Sequence, residues 1–93
     1  MRKIYTLGET FNKPVMPHCP SAGVSSAASM HLYSTITNAV RPHEYSFEFS
    51  APKEEMESLF EEPFVVEGEE AIVPDRPGLG LVINEQALER LKA

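Results

Sequence analysis

The feature that most constrains this chain is Pro14-Val15-Met16, a short apolar run bounded by prolines, set between two helical segments. Such a run reads as a buried strand ending at His18, and a strand that apolar belongs in the interior of a parallel sheet. From Arg2 to about Asn12, Ile4, Leu7 and Phe11 recur at helical spacing as one apolar stripe, and Pro14 ends the segment; Gly8 weakens that expectation. From Val24 to about Thr37 a second helix is expected, with Val24, Ala28, His31, Leu32, Thr35 and Ile36 along its inward side and unusually small first turns. Helix, strand, helix is the repeating unit of an α/β barrel or a doubly wound sheet, yet one such strand has no partner for its backbone groups. The pattern therefore points to a piece of a larger fold.

Length agrees with that reading. Ninety-three residues make at most one small domain, and a chain of this size buries only about 60% of the surface its unfolded form exposes. A single cysteine permits no internal disulfide and no redox pair, so a reducing cytoplasm is the expected compartment. The net charge is −6, and eight of the fourteen acids lie between Glu54 and Glu70 while the basic residues are scattered. That distribution argues against nucleic acid, which requires a clustered basic footprint. No apolar run reaches signal-peptide or membrane-spanning length, so neither export nor a membrane partner is expected.

Beyond the second helix, Asn38 to Pro42 reads as a loop, and Tyr45, Phe47 and Phe49 alternate as on a half-exposed strand. Lys53 to Glu62 suggests a surface helical turn with Met56, Leu59 and Phe60 inward. Phe64-Val65-Val66 and Ala71-Ile72-Val73 flank Glu67-Gly68-Glu69-Glu70 like the arms of a hairpin. The stretch from Pro74 to Gly80 is a rigid turn, Leu81-Val82-Ile83 a short strand, and Glu85 to Leu91 a last helix with Ala87, Leu88 and Leu91 inward.

The chemistry centres on the strand end. His18 is placed to meet an anionic group of a ligand, or else only to satisfy backbone groups where the chain turns. Cys19 invites a Cys-His nucleophile reading, but neighbours on a strand point to opposite faces, which favours a structural thiol. His18, Cys19, His31 and His43 match no zinc spacing, and His31 reads as a satisfied core histidine. Glu44 is a candidate for orienting another group by hydrogen bonding, against the plainer reading of a solvated carboxylate. The acidic run lacks the glycine and the alternating acids of a calcium loop and is read as a solvated face. Gly78-Leu79-Gly80 lacks the third glycine and preceding strand of a dinucleotide fingerprint.

Taken together, "PVMPHCPSAGVSSAASMHLYSTITNAV" followed by "PDRPGLGLVINEQAL" resembles the carboxyl-terminal end of the enolase superfamily, in its mandelate racemase and muconate lactonizing enzyme branch. Pro17-His18-Cys19-Pro20, the helix with His31, Asn38-Ala39-Val40 and Pro77-Gly78-Leu79-Gly80 look most like sugar-acid dehydratases of the galactonate dehydratase kind. The resemblance implies an α/β fold, the end of a modified TIM barrel, (β/α)7β. Residues 1–43 would supply a helix, the eighth strand from Val15 to His18 and its following helix, and residues 44–93 a tail joining the capping domain.

It also implies removal of the proton α to a carboxylate, with magnesium stabilising the enediolate and, in dehydratases, loss of a β-hydroxyl. The magnesium ligands and the bases would lie on earlier strands, so none of these residues is a metal ligand and the chain alone has no complete catalytic set. His18, Ser21 and Glu44 are carried over only as contacts to a carboxylate or sugar-acid substrate, or as supports for such contacts. The implied parent is a homo-oligomer. Racemisation or lactone cycloisomerisation is the alternative outcome within the family, and a free-standing interaction module docking through exposed helix faces is the alternative outside it.

Overall fold

The computed structural model describes residues 1–19, 23–44, 58–62 and 65–92, a mixture of helices and short strands. Helix α1 spans Arg2–Thr10 and α2 spans Val24–Tyr33; the strands are β1 (Phe60–Glu62), β2 (Val65–Glu67), β3 (Glu70–Ile72) and β4 (Val82–Ile83), and helix α3 is Glu85–Leu91. Expectations for Tyr45 to Phe49, for most of the acidic helical turn and for Ser21 lie outside the described residues.

Helix α1 stops because Asn12 turns into the left-handed region, φ 50°, where its amide still reaches the Glu9 carbonyl and that of Lys13 the Gly8 carbonyl. Asparagine tolerates that conformation because its short polar side chain bonds locally. The buried side of α1 is not the expected one. Ile4, Leu7 and Phe11 are 67%, 59% and 66% exposed, whereas Tyr5 is buried. The packed face is one residue on, about 100° around the helix, because that side carries Gly8. A Cβ there would fall 2.8 Å from Val15 Cγ1, so the missing side chain lets the following segment lie against the helix.

Helix α2 also buries a face other than the expected one, here nearly the opposite side of the helix. Its buried residues are Ser26, Ala27, Ser29, Met30 and Tyr33, while Val24 and Ala28 are exposed and His31 and Leu32 half-buried. Hydrophobicity alone would not turn two serines inward. They are inside because partners meet them there: Cys19 Sγ lies 3.3 Å from Ser26 Oγ and His43 Nε2 2.8 Å from Ser29 Oγ. The helix starts at Gly23, φ 90° and ψ −140°, backbone that only glycine adopts readily. It ends at Tyr33 rather than near Thr37. There Ser34 Oγ and Thr35 Oγ1 donate to the His31 and Leu32 carbonyls, competing with further helical turns.

Between these helices the expected strand does not form: residues 13–19 belong to no ladder. A strand is defined by its neighbour, and among the described residues no other strand lies alongside this one. Its backbone is held by side chains instead, Val15 O accepting from Tyr33 Oη at 2.8 Å and the Cys19 amide donating to Glu44 at 2.8 Å. Met16, expected inside, is exposed.

The tail is built from antiparallel pairs. β1 pairs with β4, Phe60 opposite Ile83 and Glu62 opposite Val82, with a register irregularity between. Phe60 to Glu62 is thus a strand, not part of a helical turn. β2 and β3 form the expected hairpin, Val65 opposite Ile72, Val66 opposite Ala71 and Glu67 opposite Glu70. Gly68 has φ 62° as the first of two turn residues, as a II′ turn requires.

The rigid turn before β4 is tied down by Arg76, whose Nε and Nη2 donate to the Gly80 carbonyl at 2.9 and 2.5 Å and whose Nη1 pairs with Glu62. Asn84 caps α3, its Oδ1 accepting from the Ala87 amide at 3.1 Å. Leu88 and Leu91, expected inward, are exposed, and α3 buries no residue fully. His31, expected in the core, is only half-buried, and it joins the two regions through the Leu79 carbonyl, 3.0 Å from Nε2.

The buried apolar residues are Tyr5, Cys19, Ala27, Met30 and Tyr33, a small core where α1, α2 and the 13–19 segment meet. No helix among the described residues is long and apolar enough to cross a membrane.

Candidate functional site

Pro14 and Pro17 stiffen the segment that carries His18 and Cys19, since each proline ring fixes its φ. Pro17 is buried, so the chain is anchored immediately before the histidine. His18 and Cys19 then face opposite ways: the His18 side chain is 79% exposed and Cys19 only 7%. The direct Cys-His nucleophile pair is therefore absent, and Cys19 packs against Ser26 in the core.

Glu44 closes the site from the far side of α2. Its Oε2 lies 2.7 Å from His18 Nδ1 and 2.8 Å from the Cys19 amide nitrogen. A carboxylate oxygen only accepts, so Nδ1 of His18 carries a proton and donates it. Nε2 is left facing outward with no partner among the described residues. Two N–H donors converging on one partly buried oxygen hold the carboxylate and orient the ring. An imidazole fixed at one nitrogen and open at the other can hold or move a proton at the open one. The division expected at residues 43 and 44 falls inside this cluster, because Glu44 is bonded to both His18 and Cys19.

Behind Glu44 lies a partly buried polar chain that sequence reasoning missed. His43 Nδ1 is 2.6 Å from the Glu44 carbonyl oxygen and Nε2 is 2.8 Å from Ser29 Oγ. The carbonyl accepts, so Nδ1 is the protonated nitrogen and Nε2 accepts from the Ser29 hydroxyl. The His43 ring meets Tyr33 edge-on, centroids 5.6 Å apart, and Tyr33 meets Tyr5 in the same way at 6.2 Å. Tyr33 Oη lies 2.8 Å from both the Val15 and Arg41 carbonyls, tying the segment before His18 to the segment before His43. Among the described residues the buried Tyr5 hydroxyl has no partner in good hydrogen-bonding geometry, although the Ser29 hydroxyl lies close enough to act on it. Burial pushes its pKa above 10.0, with Ser29 partly opposing the shift. No local signal links Ser29 to His43, which stand 14 positions apart.

Among the described residues no three His, Cys, Asp or Glu side chains come together in a way that would hold a metal ion. Glu44 Oε2 is already engaged by two donors. These residues do not build a magnesium site, and no chemical step is assigned to a metal here.

The family model for the enolase C-terminal domain-like family matches residues 1–87. The chain belongs to that family. Among the curated proteins similar to this member of the enolase C-terminal domain-like family, the arabinonate dehydratase of Saccharolobus solfataricus is 26% identical over 99% of the chain and 23% of its own length. The D-xylonate dehydratase of Haloferax volcanii is 28% identical over 95% of the chain and 20% of its own length. Muconate cycloisomerase 1 of Acinetobacter baylyi is 35% identical over 74% of the chain and 18% of its own length. The chain thus spans about a quarter or less of the curated relatives it matches. No solved structure gives a significant match.

Proposed function

We propose that this chain is the carboxyl-terminal portion of a magnesium-dependent sugar-acid dehydratase, and that its contribution to the reaction is His18 oriented by Glu44. The observation that carries the reading is the pair itself: an exposed imidazole with Nδ1 at 2.7 Å from a carboxylate and Nε2 turned outward, in a chain similar to two dehydratases over nearly its whole length. In this reading residues 1–43 end a barrel and residues 44–93 join its cap. The exposed Ile4, Leu7 and Phe11 face the remainder of that barrel, whose strands hold the metal ligands.

In this reading a base on one of the earlier strands takes the proton α to the substrate carboxylate, and His18 carries a proton at Nε2 to the departing β-hydroxyl. The Glu44 carboxylate at Nδ1 holds the ring in that orientation. The hydroxyl leaves as water and the substrate is left as an enol that tautomerises to a 2-keto-3-deoxy acid. General acid catalysis of this kind contributes about 10²–10⁴-fold.

The test uses the full-length protein that carries this chain, offered a panel of five- and six-carbon aldonates and the corresponding lactones. Formation of a 2-keto-3-deoxy acid, with kcat falling at least about 100-fold in His18→Asn, is the expected result. Turnover unaffected by His18→Asn overturns the role of the pair. A second reading, lactone cycloisomerisation, is favoured by the similarity to muconate cycloisomerase 1 and to the D-galactarolactone cycloisomerase of Agrobacterium fabrum, 29% identical over 99% of the chain. Isomerised lactone without keto acid would select it.

A further inference from the structure

Glu44 can orient His18 only if its own backbone is held, and among the described residues the group that holds it is the neighbouring side chain. The His43 ring reaches back to the Glu44 carbonyl through Nδ1 at 2.6 Å and across to α2 through Nε2, 2.8 Å from Ser29 Oγ. Because the carbonyl can only accept, this pair of bonds admits one neutral tautomer, and the Ser29 hydroxyl is committed to Nε2. Tyr33 packs on the edge of the same ring.

The Ser29–His43 distance is that of a nucleophile and its base. Ser29, however, is only 3% exposed, inside the face of α2 that packs on the core, where no substrate reaches it. The pair's chemistry is therefore directed inward, at the backbone of residue 44.

We infer that His43 is a positioning residue: held in one tautomer by Ser29, it clamps the Glu44 carbonyl and so sets the Glu44 carboxylate on His18 Nδ1. This rests on the reading of His18 as the proton carrier. A shift of the carboxylate by about 1 Å leaves His18 free to exchange tautomers and misaligns Nε2, and displacements of that size cost up to about 100-fold in rate.

The experiment compares His43→Asn, His43→Gln and His43→Phe in the full-length protein. Asparagine keeps an N–H near the Nδ1 position, where it can still donate to the Glu44 carbonyl. Glutamine keeps only a polar group near Nε2, and phenylalanine keeps only the ring against Tyr33. Two quantities are read: kcat and KM on an aldonate, and the tautomer of His18 from its imidazole 15N shifts.

His43→Asn is expected to keep kcat within about threefold and His18 protonated on Nδ1. His43→Gln and His43→Phe are expected to lower kcat by about tenfold or more at little-changed KM, with His18 averaging between tautomers. If phenylalanine prevents folding, the Asn and Gln variants alone decide. A His18 tautomer that is unchanged in His43→Gln, or Asn and Gln variants that behave alike, overturns the inference. If His18→Asn leaves turnover intact while the His18 tautomer still responds to His43→Gln, the clamp stands and the catalytic reading of His18 fails.

Discussion

Replacing Gly8 by alanine tests how α1 packs against the segment that leads to the site. In an exposed helix interior this change stabilises by about 1 kcal/mol, since glycine is the poorer helix former. Here the new Cβ would lie 2.8 Å from Val15 Cγ1, 3.4 Å from Asn38 Nδ2 and 3.5 Å from the Lys13 carbonyl. The last two are tolerable contacts, but the first requires the valine to move. Valine is stiff at χ1, so it leaves its rotamer at about 0.5–1.5 kcal/mol or pushes the backbone, and overpacking of this kind costs about 1–3 kcal/mol.

The net expectation is a loss of about 1 kcal/mol. In a Val15→Ala background the obstructing methyl is gone, and Gly8→Ala should stabilise by about 1 kcal/mol. Denaturant titration of the four proteins of this cycle measures both steps. If Gly8→Ala stabilises equally in both backgrounds, α1 does not lie against Val15 and the account of its buried face is wrong.

Further expectations concern the buried tyrosines and the turns. Tyr33→Phe should destabilise by about 1–3 kcal/mol because the Val15 and Arg41 carbonyls lose the hydroxyl proton they share, whereas Tyr5→Phe, which removes a hydroxyl with no well-aligned partner among the described residues, should be neutral within about 0.5 kcal/mol or stabilising. The raised pKa of Tyr5 means that above pH 10.0 the unfolded chain binds fewer protons than the folded one. Stability from this group is thus complete below that pH and declines as pH rises toward the folded-state value, a decline that Tyr5→Phe should remove in alkaline denaturation curves. Gly80→Ala should cost about 2 kcal/mol or more, since φ is 71° and the new Cβ would fall 2.4 Å from Pro74 Cγ. Asn84→Ala should weaken α3 by about 1 kcal/mol, read as faster hydrogen exchange at the Ala87 amide.

Local features were legible where local chemistry decides them. The hairpin of β2 and β3 follows from two β-branched runs around Gly68, and α3 falls on Glu85–Leu91 as its pattern indicates. The opposite facing of His18 and Cys19 needed only the alternation of an extended chain. The membership of the enolase C-terminal domain-like family was readable from ordered short motifs over most of the length.

What failed was the choice of helix face. A hydrophobic stripe shows which residues would be buried if a partner covered them, and the described residues provide none for Ile4, Leu7 and Phe11. The faces that are covered were chosen instead by steric fit at Gly8 and by partners for Ser26 and Ser29. The run at Val15 likewise has the composition of a strand without a neighbour to make it one.

The sequence by itself determined the turns, the caps, the family and the position of a histidine just beyond two prolines, because each depends on residues close together in the chain. Only the tertiary structure decided that Glu44 meets His18, 26 positions away, and that His43 and Ser29 stand behind it. Those contacts depend on how α2 returns the chain over the 13–19 segment, a return tied by Tyr33 to the Val15 and Arg41 carbonyls, and contacts between residues so far apart leave no periodic trace in the order of residues.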